Sequence, residues 1–172
     1  MRKILIAYAT RGGSTAEVAE VVAEVLGATG ASVDVAPVKN VQDLSGYDAV
    51  VIGSAIRMGQ WLPEAVDFVQ TNRVNLSHIP TAYFVVSAFL RNDTPTMRQE
   101  VRSYLDPVCQ LLEPVSIGLF AGKMDYRRLS CVDRMLAKVM KQREGDWRNW
   151  EAIESWARAL EPLLIHTNLA IV

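Results

Sequence analysis

Cysteine and histidine are scarce in this 172-residue chain, which has two of each. Cys109 and Cys131 form no C-x-x-C pair and have no histidine cluster beside them, so neither a disulfide framework nor a metal site is expected. An excess of charge is also missing. Eighteen Lys and Arg face 19 Asp and Glu, a net charge of −1, which supplies no electrostatic footprint for nucleic acid or for strongly basic protein partners. No stretch approaches the roughly 18 apolar residues of a membrane span. The apolar run Ile4 to Ala9 behind Met1-Arg2-Lys3 is too short for a signal sequence and stops at Thr10-Arg11-Gly12-Gly13. The expected compartment is therefore the cytoplasm. Repeats, low-complexity tracts and Gly/Ser/Pro-rich linkers are absent too, so the length fits one domain spanning 1–172.

What is present is an alternation of two periodicities. Short continuous apolar runs at Lys3 to Ala9, Tyr47 to Ala55, Thr81 to Ala88 and Pro114 to Ala121 predict buried strands, and Ala31 to Ala36 alternates like a further one. Between them, Val18, Val21, Val22, Val25 and Leu26 recur at helical spacing and end at Gly27. Short helical character is expected near Val41 to Ser45. Pro63 and Pro95 each open a helix, where a missing N–H costs nothing, and Pro107 predicts a break in the second. A last helix runs from Trp150 to Leu164. Strands alternating with helices imply right-handed βαβ crossovers and an α/β fold: a doubly wound, three-layer, five-stranded parallel sheet. The apolar tail Ile165 to Val172 is expected to pack over the core, and it leaves room for a homodimer.

In such a sheet, ligands bind beyond the carboxyl ends of the strands. The loop after the first strand is Thr10-Arg11-Gly12-Gly13-Ser14-Thr15. Its two glycines let successive N–H groups face inward, its three hydroxyls can donate hydrogen bonds, and the next helix points its positive end at the same place. Those are the requirements of a phosphate site. The loop has neither the G-x-G-x-x-G of a dinucleotide fold nor the Gly-Lys-Ser/Thr ending of a P-loop. It resembles the loop with which flavodoxins surround the phosphate of FMN, although flavodoxins commonly place a small hydroxyl residue where this chain has Arg11. That resemblance covers nearly the whole chain and implies FMN as cofactor and the strand order 2-1-3-4-5.

With phosphate at the first loop, the flavin ring is expected between two further loops. One is Ser54, Ala55, Ile56, Arg57, Met58, Gly59, Gln60 and Trp61; the other is Ser87, Ala88, Phe89, Leu90 and Arg91. Trp61 and Phe89 are the aromatic candidates for ring contact, and Arg57 or Arg91 could stabilise negative charge on a reduced ring. The fifth strand delivers Gly122, which permits close backbone approach, followed by Lys123, Asp125 and Tyr126. Asp125 and Tyr126 are candidates for proton transfer, although a lone exposed carboxylate is ordinarily just solvated.

An extra segment, at about 123–149, is not needed to bind FMN. Its Leu129, Val132, Met135, Leu136, Val139 and Met140 are expected on one face of a helix, among Arg127, Arg128, Arg134, Lys138, Lys141 and Arg143. A helix packed on the domain explains this, and so does a surface that touches a membrane or a bulky apolar substrate through 127–143. This insertion, with Ile52-Gly53-Ser54-Ala55-Ile56-Arg57-Met58-Gly59 and Phe120-Ala121-Gly122-Lys123-Met124-Asp125-Tyr126, is similar to the menaquinone-dependent protoporphyrinogen dehydrogenase group of the flavodoxin superfamily. The resemblance implies an FMN oxidoreductase acting on a porphyrin-like substrate, with a quinone as acceptor, in the cytoplasm at the inner face of the membrane. Two other readings stay open: a flavodoxin-type electron carrier, disfavoured because such carriers tend to be strongly acidic, and an FMN-dependent quinone or NAD(P)H reductase.

Overall fold

The computed structural model describes residues 1–165. Its elements are, in chain order, β1 (Lys3–Ala9), α1 (Ser14–Gly27), β2 (Ser32–Pro37), β3 (Ala49–Arg57), β4 (Gln60–Trp61), α2 (Pro63–Thr71), α3 (Arg73–Leu76), β5 (Thr81–Ser87), α4 (Pro95–Ser103), α5 (Asp106–Leu111), β6 (Ile117–Ala121), β7 (Lys123–Met124), α6 (Cys131–Val139), β8 (Gly145–Asp146) and α7 (Trp150–Ile165). The main sheet runs β2-β1-β3-β5-β6, with every neighbouring pair parallel. Two-residue β4 folds back antiparallel on β3 and does not disturb that order. This is the doubly wound order 2-1-3-4-5 expected for the five long strands.

Side chains alternate across each strand, so each feeds both faces of the sheet. On one side Ile4 and Ile6 meet Val18, Val22 and Leu26 of α1 and Ile153 and Leu160 of α7. On the other, Leu5, Val50 and Ile52 meet Phe68 and Val69 of α2, Val101 of α4 and Val108 of α5. β5 is buried at every position, which is why its sequence is an unbroken apolar run.

Two expectations need correction. No helix forms over Val41 to Ser45; a 3₁₀ turn lies earlier, at Val38–Asn40. The Asp43 carboxylate accepts from the Ser45 N–H at 2.9 Å, a side-chain turn that competes with helical pairing. The fifth parallel strand starts at Ile117, not Pro114. The break expected in the helix after Pro95 is present: the chain divides into α4 and α5, with Pro107 in the first turn of α5 where its missing N–H is harmless. The expectation that the tail packs over the core falls on residues 166–172, outside the described residues.

Candidate functional site

Parallel pairing places Ala9 opposite Ser54, Ala55 opposite Val86, and Ser87 opposite Ala121. The carboxyl ends of β1, β3, β5 and β6 are thus level, and the loops that leave them share one edge. In the first loop, the Gly13 N–H donates to Thr10 Oγ1 at 3.0 Å. Gly13 has φ 86° and is the N-cap of α1, a left-handed conformation that costs other L-residues about 1–2 kcal/mol. As a glycine it supplies no side-chain cap, so the first N–H groups of α1 remain for a ligand. Thr15 is fully buried, and its Oγ1 has no hydrogen-bond partner among the described residues. Such a group costs about 1–3 kcal/mol unless something completes it. A buried, unpaired hydroxyl beside an uncapped helix N-terminus fits the phosphate group of a flavin nucleotide.

From this loop a cleft of about 870 Å³, open mouth included, extends across the sheet edge. It is lined by Thr10, Arg11, Gly12 and Ser14 from the first loop, Ala55, Ile56, Arg57 and Met58 from the end of β3 and its turn, Ser87, Ala88 and Phe89 after β5, and Gly122 after β6. Packing at Gly122 is tight, because a Cβ there would lie 3.0 Å from Val86 Cγ1. Two buried serines brace the loops, Ser87 in the cleft lining and Ser54 outside it. Ser54 Oγ accepts from the Leu62 N–H at 3.1 Å and Ser87 Oγ from the Phe89 N–H at 3.2 Å.

The remaining wall comes from the insertion: Leu129, Asp133, Leu136, Ala137, Met140 and Gln142, with Lys123 and Met124 leading into it. The sequence left Leu129, Leu136 and Met140 between packing on the domain and contact with a membrane or a bulky apolar substrate, and it did not single out Asp133, Ala137 or Gln142. It also placed six apolar residues on one helix face, which the structure divides. Leu129, Leu136 and the part-exposed Met140 line the cleft, whereas Val132, Met135 and Val139 are exposed away from it. Leu129 precedes α6, whose N-cap is Ser130. Spacing alone does not separate the two sets, because Val132 is four residues from Leu136 just as Leu136 is from Met140.

Other expected site residues lie elsewhere. Trp61 is buried in the core, edge-on to Tyr83 at 5.0 Å between centroids, and is not part of the cleft wall. Its indole N–H also has no acceptor among the described residues. Leu90 is buried in the same core, and Arg91 is exposed away from the cleft. Gly59 sits at the tip of the β3–β4 hairpin with φ 72°, behind the cleft-lining Met58. Asp125 and Tyr126 also lie outside the cleft wall. Asp125 pairs with Arg127, whose guanidinium holds the carboxyl below its ordinary range, and the Tyr126 hydroxyl donates to the Gln142 carbonyl.

Ion pairs fasten the site. Arg11 forms a two-pronged pair with Glu64 of α2, which holds the Glu64 carboxyl below its usual range. Arg57 meets Asp133 of α6 at 2.9 Å, tying the β3–β4 hairpin to the insertion. Glu17, in the first turn of α1, takes Arg148 and Arg128 together, and both lower its pKa, Arg148 more. The Arg148 side chain is only 6% exposed and also meets Asp146 at 2.6 Å. Glu17 and Asp146 stay more than a third exposed, so solvent screening holds each pair to about 0.2–1 kcal/mol, and together they link the insertion to α1.

A doubly wound sheet with a phosphate-type loop at this edge defines a flavodoxin-like protein. The Flavodoxin domain family matches residues 5–149, and the chain belongs to that family. Membership implies flavin binding. Among curated relatives the chain is 30% identical, over 175 residues, to protoporphyrinogen IX dehydrogenase (quinone) of Escherichia coli strain K12, covering 94% of this chain and 96% of that protein. It is 28% identical over 170 residues to the Leishmania major protein of the same name, covering 90% and 73% respectively. A solved archaeal flavodoxin shares the fold at 14% identity, with a TM-score of 0.57 over 95% of this chain and 99% of that one.

Proposed function

We propose that the chain, acting as one flavodoxin-like unit, is an FMN-dependent oxidoreductase that oxidises a porphyrinogen-type substrate and passes the electrons to a quinone. The observation that carries this reading is the insertion roof. A flavin site needs loops at the sheet edge, yet here Leu129, Leu136 and Met140 of the insertion line the same cleft and add apolar surface to it. The near-full-length likeness to protoporphyrinogen IX dehydrogenases supports the substrate class.

Thr10, Gly12, Gly13, Ser14 and Thr15, with the N-terminus of α1, would hold the FMN phosphate. The loops Ala55 to Met58 and Ser87 to Phe89 would flank the ring, with Gly122 beneath. FMN, when bound, supplies an acceptor that takes two electrons and releases them singly or in pairs. The chain's own task is binding and exclusion. Met58, Met124, Leu136 and Met140 present an adaptable apolar surface to a bulky substrate, and Lys123 offers a cation at the rim for an acidic substituent. Asp125, already paired with Arg127, is not used as a base.

Among the described residues, no helix is long and apolar enough to cross a membrane. The outer face of α6 suits contact with a membrane surface instead. Val132, Met135 and Val139 are exposed there, with exposed Lys138, Lys141 and Arg143 alongside. That placement would bring the cleft to a membrane-dissolved quinone.

The test is anaerobic mixing of FMN-loaded protein with protoporphyrinogen IX and a menaquinone analogue, followed by porphyrin fluorescence. Porphyrin should form faster than with free FMN. No acceleration, combined with rapid single-electron exchange with a flavodoxin reductase, would instead identify an electron carrier.

A further inference from the structure

The FMN phosphate carries up to two negative charges, and the loop Thr10 to Thr15 contains one cation, Arg11. That guanidinium is engaged by both carboxylate oxygens of Glu64. A second guanidinium lies over the same loop. A Cβ built on Gly13 would meet, as its three nearest atoms, Arg128 Nη1 at 3.6 Å, Cζ at 3.7 Å and Nη2 at 3.9 Å. Arg128 belongs to the insertion, far from the loop in sequence, while Gly13 is the uncapped start of α1. Resting on the FMN reading above, we propose that Arg128 is the cationic partner of the flavin phosphate and sets the preference for phosphorylated over unphosphorylated flavin.

Four observations support the assignment. In the same first turn of α1, behind the cleft-lining Ser14, the fully buried Thr15 Oγ1 has no partner among the described residues. Among the described residues, Arg128 has one acidic partner, Glu17, reached through Nη1, so the other N–H groups of its fork are available. Arg148, the other arginine on Glu17, is 6% exposed and committed to Asp146 as well, whereas Arg128 is 43% exposed and can reach toward a ligand. Finally, Glu17 lies one turn along α1 from Gly13 and would repel an anion there if it were not neutralised; Arg128 pairs with Glu17 and also lies against Gly13. A planar guanidinium suits a phosphate, because two parallel N–H bonds match two oxygens.

The experiment compares FMN and riboflavin, which differ by the phosphate alone, in fluorescence titrations of the full chain and of Arg128→Ala and Arg128→Lys at two salt concentrations. The assignment predicts that Arg128→Ala weakens FMN binding about ten-fold, leaves riboflavin binding within about two-fold, and flattens the salt dependence for FMN. Arg128→Lys should restore part of the loss. Equal weakening for both flavins would reduce Arg128 to a packing residue and overturn the assignment, as would an unchanged FMN preference. A parent chain that binds both flavins equally would remove the phosphate reading of the loop itself, and with it this assignment; a parent preference that survives in Arg128→Ala removes the assignment alone.

Discussion

Replacing Thr15 by Val should move the free protein and its flavin complex in opposite directions. Thr15 is fully buried and its hydroxyl has no partner among the described residues, so in the free protein it carries a desolvation cost of about 1–3 kcal/mol. Valine keeps the β-branched shape and removes the polar atom. Taking about 1 kcal/mol, the free variant should melt about 2–4 °C higher, given the size of the chain. In the complex the same hydroxyl would donate to a charged phosphate oxygen, a bond of about 1.5–3 kcal/mol. Its loss should weaken FMN binding about 10- to 150-fold. Thermal melts of the flavin-free protein and FMN fluorescence titrations measure the two effects separately. A variant that is less stable when free, yet binds FMN as well as the parent, would refute the placement of Thr15 at the phosphate.

Other expectations follow from single positions. Gly53→Ala should lose about 3 kcal/mol in urea unfolding, because a Cβ there would lie 1.9 Å from Cζ of the fully buried Phe84. Met58→Asn should raise the stability of the free protein by about 0.5–1 kcal/mol, since Met58 adopts φ 52° before Gly59 in a two-residue hairpin turn that favours Asn-Gly; an unchanged or lower urea midpoint would contradict this. The carboxyls of Glu17 and Glu64 sit below their ordinary 4.5, and that of Asp146 below 3.8, because arginines hold them charged. A depressed folded-state pKa gives stabilisation that is present above the unfolded value and lost as pH falls through the folded one. The grip of the insertion on α1 should therefore be constant near neutrality and loosen only below about pH 4.5, seen as increased proteolysis at insertion arginines and lysines by an acid-active protease; loosening near neutral pH would disagree.

The sheet was legible because its signal is local. β3 and β5 are apolar runs buried on both faces, and a strand of that kind has few other readings. The phosphate loop was legible for the same reason: its glycines and hydroxyls are contiguous and lie at a strand-to-helix junction. Trp61 misled because an aromatic at a strand end reads alike whether it faces a ligand or the core, and the edge contact with Tyr83 is set by a strand distant in sequence. The insertion misled more instructively. Its apolar residues were visible, but the division of α6 into an inner stripe at Leu136 and Met140 and an outer one at Val132, Met135 and Val139 depends on where the helix docks. That docking rests on Arg57–Asp133, Arg128–Glu17 and Arg148–Glu17, pairs that no local pattern reveals.

The claim that the insertion turns a flavin site into a substrate chamber is tested most directly by the double variant Leu136→Glu, Met140→Glu, loaded with FMN and assayed anaerobically with protoporphyrinogen IX and a quinone. Both residues line the roof of the cleft and neither belongs to the phosphate loop. Charges there would oppose entry of an apolar substrate. The account predicts an FMN spectrum and affinity close to the parent's, with porphyrin formation at least about ten-fold slower. Porphyrin formation at the parent rate would contradict it.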